Sequence, residues 1–162
     1  MTVRNQIITV ISSLLLASCS VNTQYSEFRT LPVTGWEADS ALTYTFDAGA
    51  MESPCDILLC IRHTEVYPYQ NMWLFCSLDK DSTRILTDTL EFYLADDRGR
   101  WLGNGGLKLI EMPVLFAENY QLPDSGLCTF TIRQGMRDAS LRGVRDVGLI
   151  INYGQKQVSK VR

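Results

Sequence analysis

The chain has 162 residues, 46% of them hydrophobic and 20% charged, with a formal net charge of −3. That length holds one ordinary domain, and the composition excludes disorder along the whole chain. No basic stripe or block of like charge suits a nucleic-acid backbone, so nucleic acid is not expected as a partner.

The N-terminus reads MTVRNQIITVISSLLLASCS. Arg4 is a short positive region, and the apolar run 7–17 has the length of a signal-peptide core. It falls well short of the ~20 residues of a membrane-spanning helix. Leu16-Ala17-Ser18-Cys19 then matches the lipobox of a bacterial lipoprotein signal. Residues 1–18 are therefore expected to be removed, leaving Cys19 as the lipidated first residue. Each buried methylene of an acyl chain is worth about 0.8 kcal/mol, so several chains hold a protein to a membrane without a span. The polar, aperiodic stretch 19–32 reads as a tether, and 33–162 as the domain.

Strand signals dominate that domain. Alternation or short apolar runs predict strands at 41–49, 56–63, 71–78, 88–96, 107–116, 126–134 and 146–153. Pro113 marks an edge or a break in the fifth of these. Turn chemistry separates them: DRGRWLGNGG at 97–106, LPDSG at 122–126 and the run around Gly143. QGMRDASLRG at 134–143 reads as a helical turn or loop. The class is all-β: an antiparallel β-sandwich, jelly-roll-like, with at most a short helical turn.

Cys55, Cys60, Cys76 and Cys128 remain beyond the anchor. If the segments around 60 and 76 form a hairpin turning near Pro68, Cys60 and Cys76 face each other and can bond. The alternative is four small buried thiols. No C-x-x-C pair is present, and no metal or cofactor is assigned.

The stretch RHTEVYPYQNMW at 62–73 holds the chain's single histidine. His63 lacks the nucleophile and orienting group of a hydrolase, and no G-x-S-x-G elbow exists. It reads as a strand-end histidine bonded to backbone, and no catalytic residue is assigned. Arg62 and Glu65 are expected to pair across the turn. Asp96 and Asp97 read as turn formers, and Arg133 and Arg137 as solvated or partner-facing. Trp36 and Trp73 are expected in the core. Tyr67, Tyr69 and Trp101, with Arg62, are the candidates for contact with a partner protein or a glycan.

The ordered set RHT, YPYQN (67–71), DTLE (88–91), LAD (94–96), GRWLGNG (99–105), RQGMR (133–137) and LRGVRDVGL (141–149), behind a lipoprotein signal, resembles the GldH family of gliding-motility lipoproteins of Bacteroidetes. The resemblance implies a cell-envelope lipoprotein tied to gliding motility and its linked secretion apparatus, with no enzymatic activity. It also implies partners among other envelope lipoproteins or motility and secretion proteins. Ser20 after the cysteine and the near-absence of an acidic cluster favour the outer membrane, facing the periplasm. An envelope glycan-binding module is the alternative.

Overall fold

The structure is a computed structural model and describes residues 23–106 and 108–154. Eleven strands follow in chain order: β1 (Thr23–Thr30), β2 (Trp36–Glu37), β3 (Leu42–Asp47), β4 (Cys55–His63), β5 (Asn71–Lys80), β6 (Thr83–Tyr93), β7 (Asn104–Gly106), β8 (Leu109–Tyr120), β9 (Leu127–Gln134), β10 (Ser140–Leu141) and β11 (Val144–Tyr153). One sheet has the order β1-β11-β4-β8-β7, a second β3-β9-β5-β6, and a two-stranded ribbon joins β10 to β2. All pairings are antiparallel.

Eight strands have six residues or more. Counted among themselves, they stand 1-8-3-6 in one sheet and 2-7-4-5 in the other. That interleaving is the jelly roll, in which consecutive strands cross between the sheets everywhere but at the β5–β6 hairpin. The inner faces meet in one core. Ile57, Leu59, Ile61, Val147, Leu149 and Ile151 come from the first sheet, and Tyr44, Leu74, Leu78, Phe130 and Ile132 from the second. Phe116 of β8 meets Phe130 of β9 edge to face at 5.1 Å. The Tyr44 hydroxyl donates to the Val147 carbonyl at 2.7 Å, a buried bond across the two sheets.

The stretch expected to be a tether is cut short by β1. From Thr23 onward it pairs with β11, so the fold begins ten residues before Val33. Tyr25 packs inward on Phe46, while Phe28 lies outward over Gly148. Two aromatics on opposite faces leave no period-two signal, which is why the strand is hidden in the sequence.

The segment 134–143, read as a helical turn or loop, is a loop. Past Gln134 the chain turns and contributes the two-residue β10, while the one helical turn among the described residues is at Ala48–Ala50. Pro113 does lie on an edge. β7 pairs only with residues 109–111 of β8, so the flank of β8 beyond it is free where proline lacks its N–H.

Of the two readings of the cysteines, the structure shows the buried thiols and no bond between Cys60 and Cys76. β4 and β5 belong to different sheets, so no hairpin brings the two together. Cys76 sits in the inter-sheet core, whereas Cys60 lies outside it, and Cys55, Cys60, Cys76 and Cys128 are all free and buried. Burial pushes the Cys60 and Cys76 thiols up to about 12, so both stay protonated and unreactive at neutral pH.

Candidate functional site

Residues 62–73 span the crossing from β4 in one sheet to β5 in the other. His63 closes β4 with its ring fully buried. Its Nδ1 lies 3.1 Å from the Thr64 carbonyl, so the ring donates there, and Nε2 is left without a partner among the described residues. Trp101 meets the imidazole edge to face at 4.6 Å, and Tyr67 lies at 5.7 Å. Two aromatic rings and a backbone carbonyl thus surround the imidazole, the setting of a packed core group.

Burial also drives the His63 pKa below its ordinary value, against a smaller opposing effect of the Thr64 bond. An unfolded histidine titrates near about 6.5. Between that value and the lower folded one, the unfolded chain binds more protons. Stability from this group therefore falls as pH drops through the window and levels off below it. The native chain should lose more melting temperature between about pH 7 and about pH 5 than a His63→Phe variant, measured by thermal melts. The same loss in both would show that the ring is not held neutral.

The other expected site residues scatter. Tyr67 is core, its hydroxyl donating to the Asn71 carbonyl at 2.7 Å. Tyr69 is exposed and donates to Asp138 at 2.8 Å. Trp101 is half-buried against His63. The Tyr67 and Tyr69 rings stand at 78° to each other. Tyr67, Tyr69 and Trp101 therefore offer no shared plane on which a sugar ring can stack.

Arg62 does not pair with Glu65. Its Nε donates to Glu111 on β8 at 2.6 Å, and its guanidinium lies 3.9 Å over the Phe28 ring, on the outer face of the five-stranded sheet. Strand register explains this, because Arg62 stands directly opposite Glu111. Both side chains are partly exposed, so solvent screening holds the pair's contribution to about 1 kcal/mol. Cys19 lies outside the described residues.

Trp73 is another correction. Met72, Leu74 and Cys76 take the inward positions of β5, which leaves Trp73 and Phe75 outward, 38% and 51% exposed. Trp73 borders a cleft of about 300 Å³ with Tyr69, Asn71, Gly135, Met136 and Arg137.

A larger groove, of about 470 Å³, lies at the same end of the sandwich. Three turns build it: Val33-Thr34, Thr64 to Val66, and the bend Arg142-Gly143-Val144-Arg145. The Thr64 N–H donates to the Gly143 carbonyl at 2.8 Å and ties two of these turns together. Val33 and Val66 are 78% and 69% exposed. Among the described residues, neither Arg142 nor Arg145 has an ion-pair partner. The sequence carries traces of this groove, two valines inside turns and two arginines around a glycine, but nothing in it brings them together.

The model of the GldH lipoprotein family matches residues 23–151, from the first residue of β1 into β11. The chain belongs to the GldH lipoprotein family. It is similar to the gliding motility lipoprotein GldH homolog of Christiangramia forsetii, 27% identical over 149 residues, 88% of this chain and 91% of that one. It is also similar to the gliding motility lipoprotein GldH of Flavobacterium johnsoniae, 25% identical over 158 residues, 93% of this chain and 98% of that one. Membership in the GldH family makes this a membrane-anchored lipoprotein of the cell envelope. Among the described residues no helix is long and apolar enough to cross a membrane. None of their His, Cys, Asp and Glu side chains form a cluster suited to a metal ion.

Proposed function

We propose that Cys19 carries the lipid and that the protein sits on the outer membrane facing the periplasm. There it acts without chemistry of its own, as a docking component for other envelope proteins of the gliding and linked secretion apparatus. The observation that carries the docking role is the groove between Val33, Val66, Arg142 and Arg145. On a chain of net charge −3, two guanidiniums without carboxylate partners stand beside two valines held in water. Guanidinium forks bind carboxylates in pairs, and the exposed valines offer an apolar anchor. The fitting occupant is an acidic, extended segment of an envelope partner.

The test is capture from detergent-solubilised envelopes with the native chain and with an Arg142→Glu, Arg145→Glu variant. Identified motility or secretion proteins should come down with the native chain. The variant should retain them at least about tenfold less, the equivalent of 1.4 kcal/mol. Equal capture by a folded, membrane-attached variant would overturn the role of the groove. Loss of membrane attachment in a Cys19→Ala variant tests the anchor separately.

A further inference from the structure

We propose that the outer face of the five-stranded sheet lies on the lipid surface, so that the domain is anchored flat rather than held out on a tether. The proposal rests on lipid attachment at Cys19.

β1 is the edge strand of that sheet and starts at Thr23. Its first residues are bound on two sides. The Thr23 hydroxyl donates to Asn152 at 2.9 Å, the Gln24 amide donates to the Glu52 carbonyl at 2.9 Å, and the Glu52 N–H donates back to Gln24 at 2.5 Å. Four residue steps then separate Cys19 from the sheet, a reach of about 14 Å at most. The stretch 19–32, all leash, would have allowed about 50 Å. β11 alone has ten residues and spans about 30 Å. The leash is thus shorter than the body it holds.

Past a polar row of Thr23, Asn152 and Asp56 at the anchor's end, the outer face of this sheet turns apolar. One cross-strand row reads Ser26, Ile150, Leu58, Leu115, and the next reads Phe28, Gly148, Cys60, Pro113. Phe28, Leu58, Ile150 and Leu115 stand outside the inter-sheet core, and Leu115 is 51% exposed. A polar row of Thr30, Asp146, Arg62 and Glu111 borders them. Such a patch is too modest to hold a free domain on a bilayer. A short leash raises its effective concentration at the surface, and a weak contact then suffices.

The end of the sandwich nearest the anchor suits lipid less well. Among the described residues it carries Asp47, Glu52, Asp56, Asp81, Glu118 and Asp124 against Lys80, beyond the Asp79–Arg84 pair. Standing on that end would press carboxylates toward phosphate headgroups. Lying flat keeps them at the side. It also turns Trp73 and Phe75, on the outer face of the other sheet, away from the membrane.

An environment-sensitive dye on single introduced cysteines tests this with the lipidated chain on phosphatidylcholine vesicles. The native buried thiols stay unlabelled. Dye at Leu115→Cys should shift to the blue on vesicles, while dye at Thr89→Cys, on the opposite outer face, and at Asp124→Cys, at the acidic end, should not. A shift at position 124 or 89 without one at 115 would overturn the flat placement. A shift at 115 that grows with protein concentration and needs no vesicles would overturn it in favour of a second copy. Failure of the native lipidated chain to sediment with the vesicles would overturn the anchor, and this placement with it.

Discussion

Replacing Phe130 with alanine should destabilise the domain by about 3–5 kcal/mol. Phe130 is fully buried in β9, the second strand of the four-stranded sheet, between Tyr44 of β3 and Leu78 of β5. Its ring crosses the sandwich to meet Phe116 of the other sheet. The backbone ladders on either side hold the strand in place, so the cavity cannot close by simple collapse. A domain of this size has a total stability of about 5–15 kcal/mol, so the loss is a large share of it. Urea unfolding followed by tryptophan fluorescence measures it, the midpoint falling with little change in slope. Phe75→Ala is the control. That ring is half-exposed on the outer face of β5, and its removal should cost less than about 1 kcal/mol. Comparable losses at the two positions would show that the sheets do not face each other as described.

Gly143→Ala is the second large effect. Gly143 adopts φ +86°, a left-handed conformation that costs an L residue about 1–2 kcal/mol. A Cβ there would also stand 2.6 Å from the Tyr67 Cα, and closer still to the Tyr67 N. Backbone cannot move aside as a side chain can, so the two turns that form the arginine groove must part. Overpacking of this kind adds about 1–3 kcal/mol. Gly99→Ala separates the two causes, since Gly99 has φ +74° and nothing within 4 Å of the added Cβ. Thermal melts should place Gly143→Ala well below Gly99→Ala. The Gly143 variant should also capture partners less well, because Thr64 and Gly143 no longer meet. Equal melting temperatures would sink the close approach of the two turns.

Much of the framework was legible because a half-buried strand writes its faces into a period of two. Leu90 and Phe92 against Thr89, Glu91 and Tyr93 marked β6, and Cys128, Phe130 and Ile132 marked the buried side of β9. The same rule failed at β1, where Tyr25 and Phe28 serve opposite faces. It misled at Trp73, where hydrophobic character was read as burial although the strand's parity puts the ring outside. A near neighbour in sequence also proved a poor guide to pairing. Arg62 ignored Glu65 for Glu111, and Cys60 never meets Cys76.

What the sequence by itself determined was local: seven of the strands, most of their buried sides and the ordered motifs of the GldH family. A motif or a strand is a pattern of neighbours, and neighbours are what a sequence records. The tertiary structure decided which strands share a sheet, and therefore what gathers at each surface. The jelly-roll crossing sends β4 and β5 into different sheets, which separates the two thiols. It also gathers residues from 33, 66, 142 and 145 into one groove. Pairing β1 with β11 starts the fold at Thr23, inside the stretch that reads as a tether, because long-range hydrogen-bonded register, not local preference, fixes where an edge strand lies.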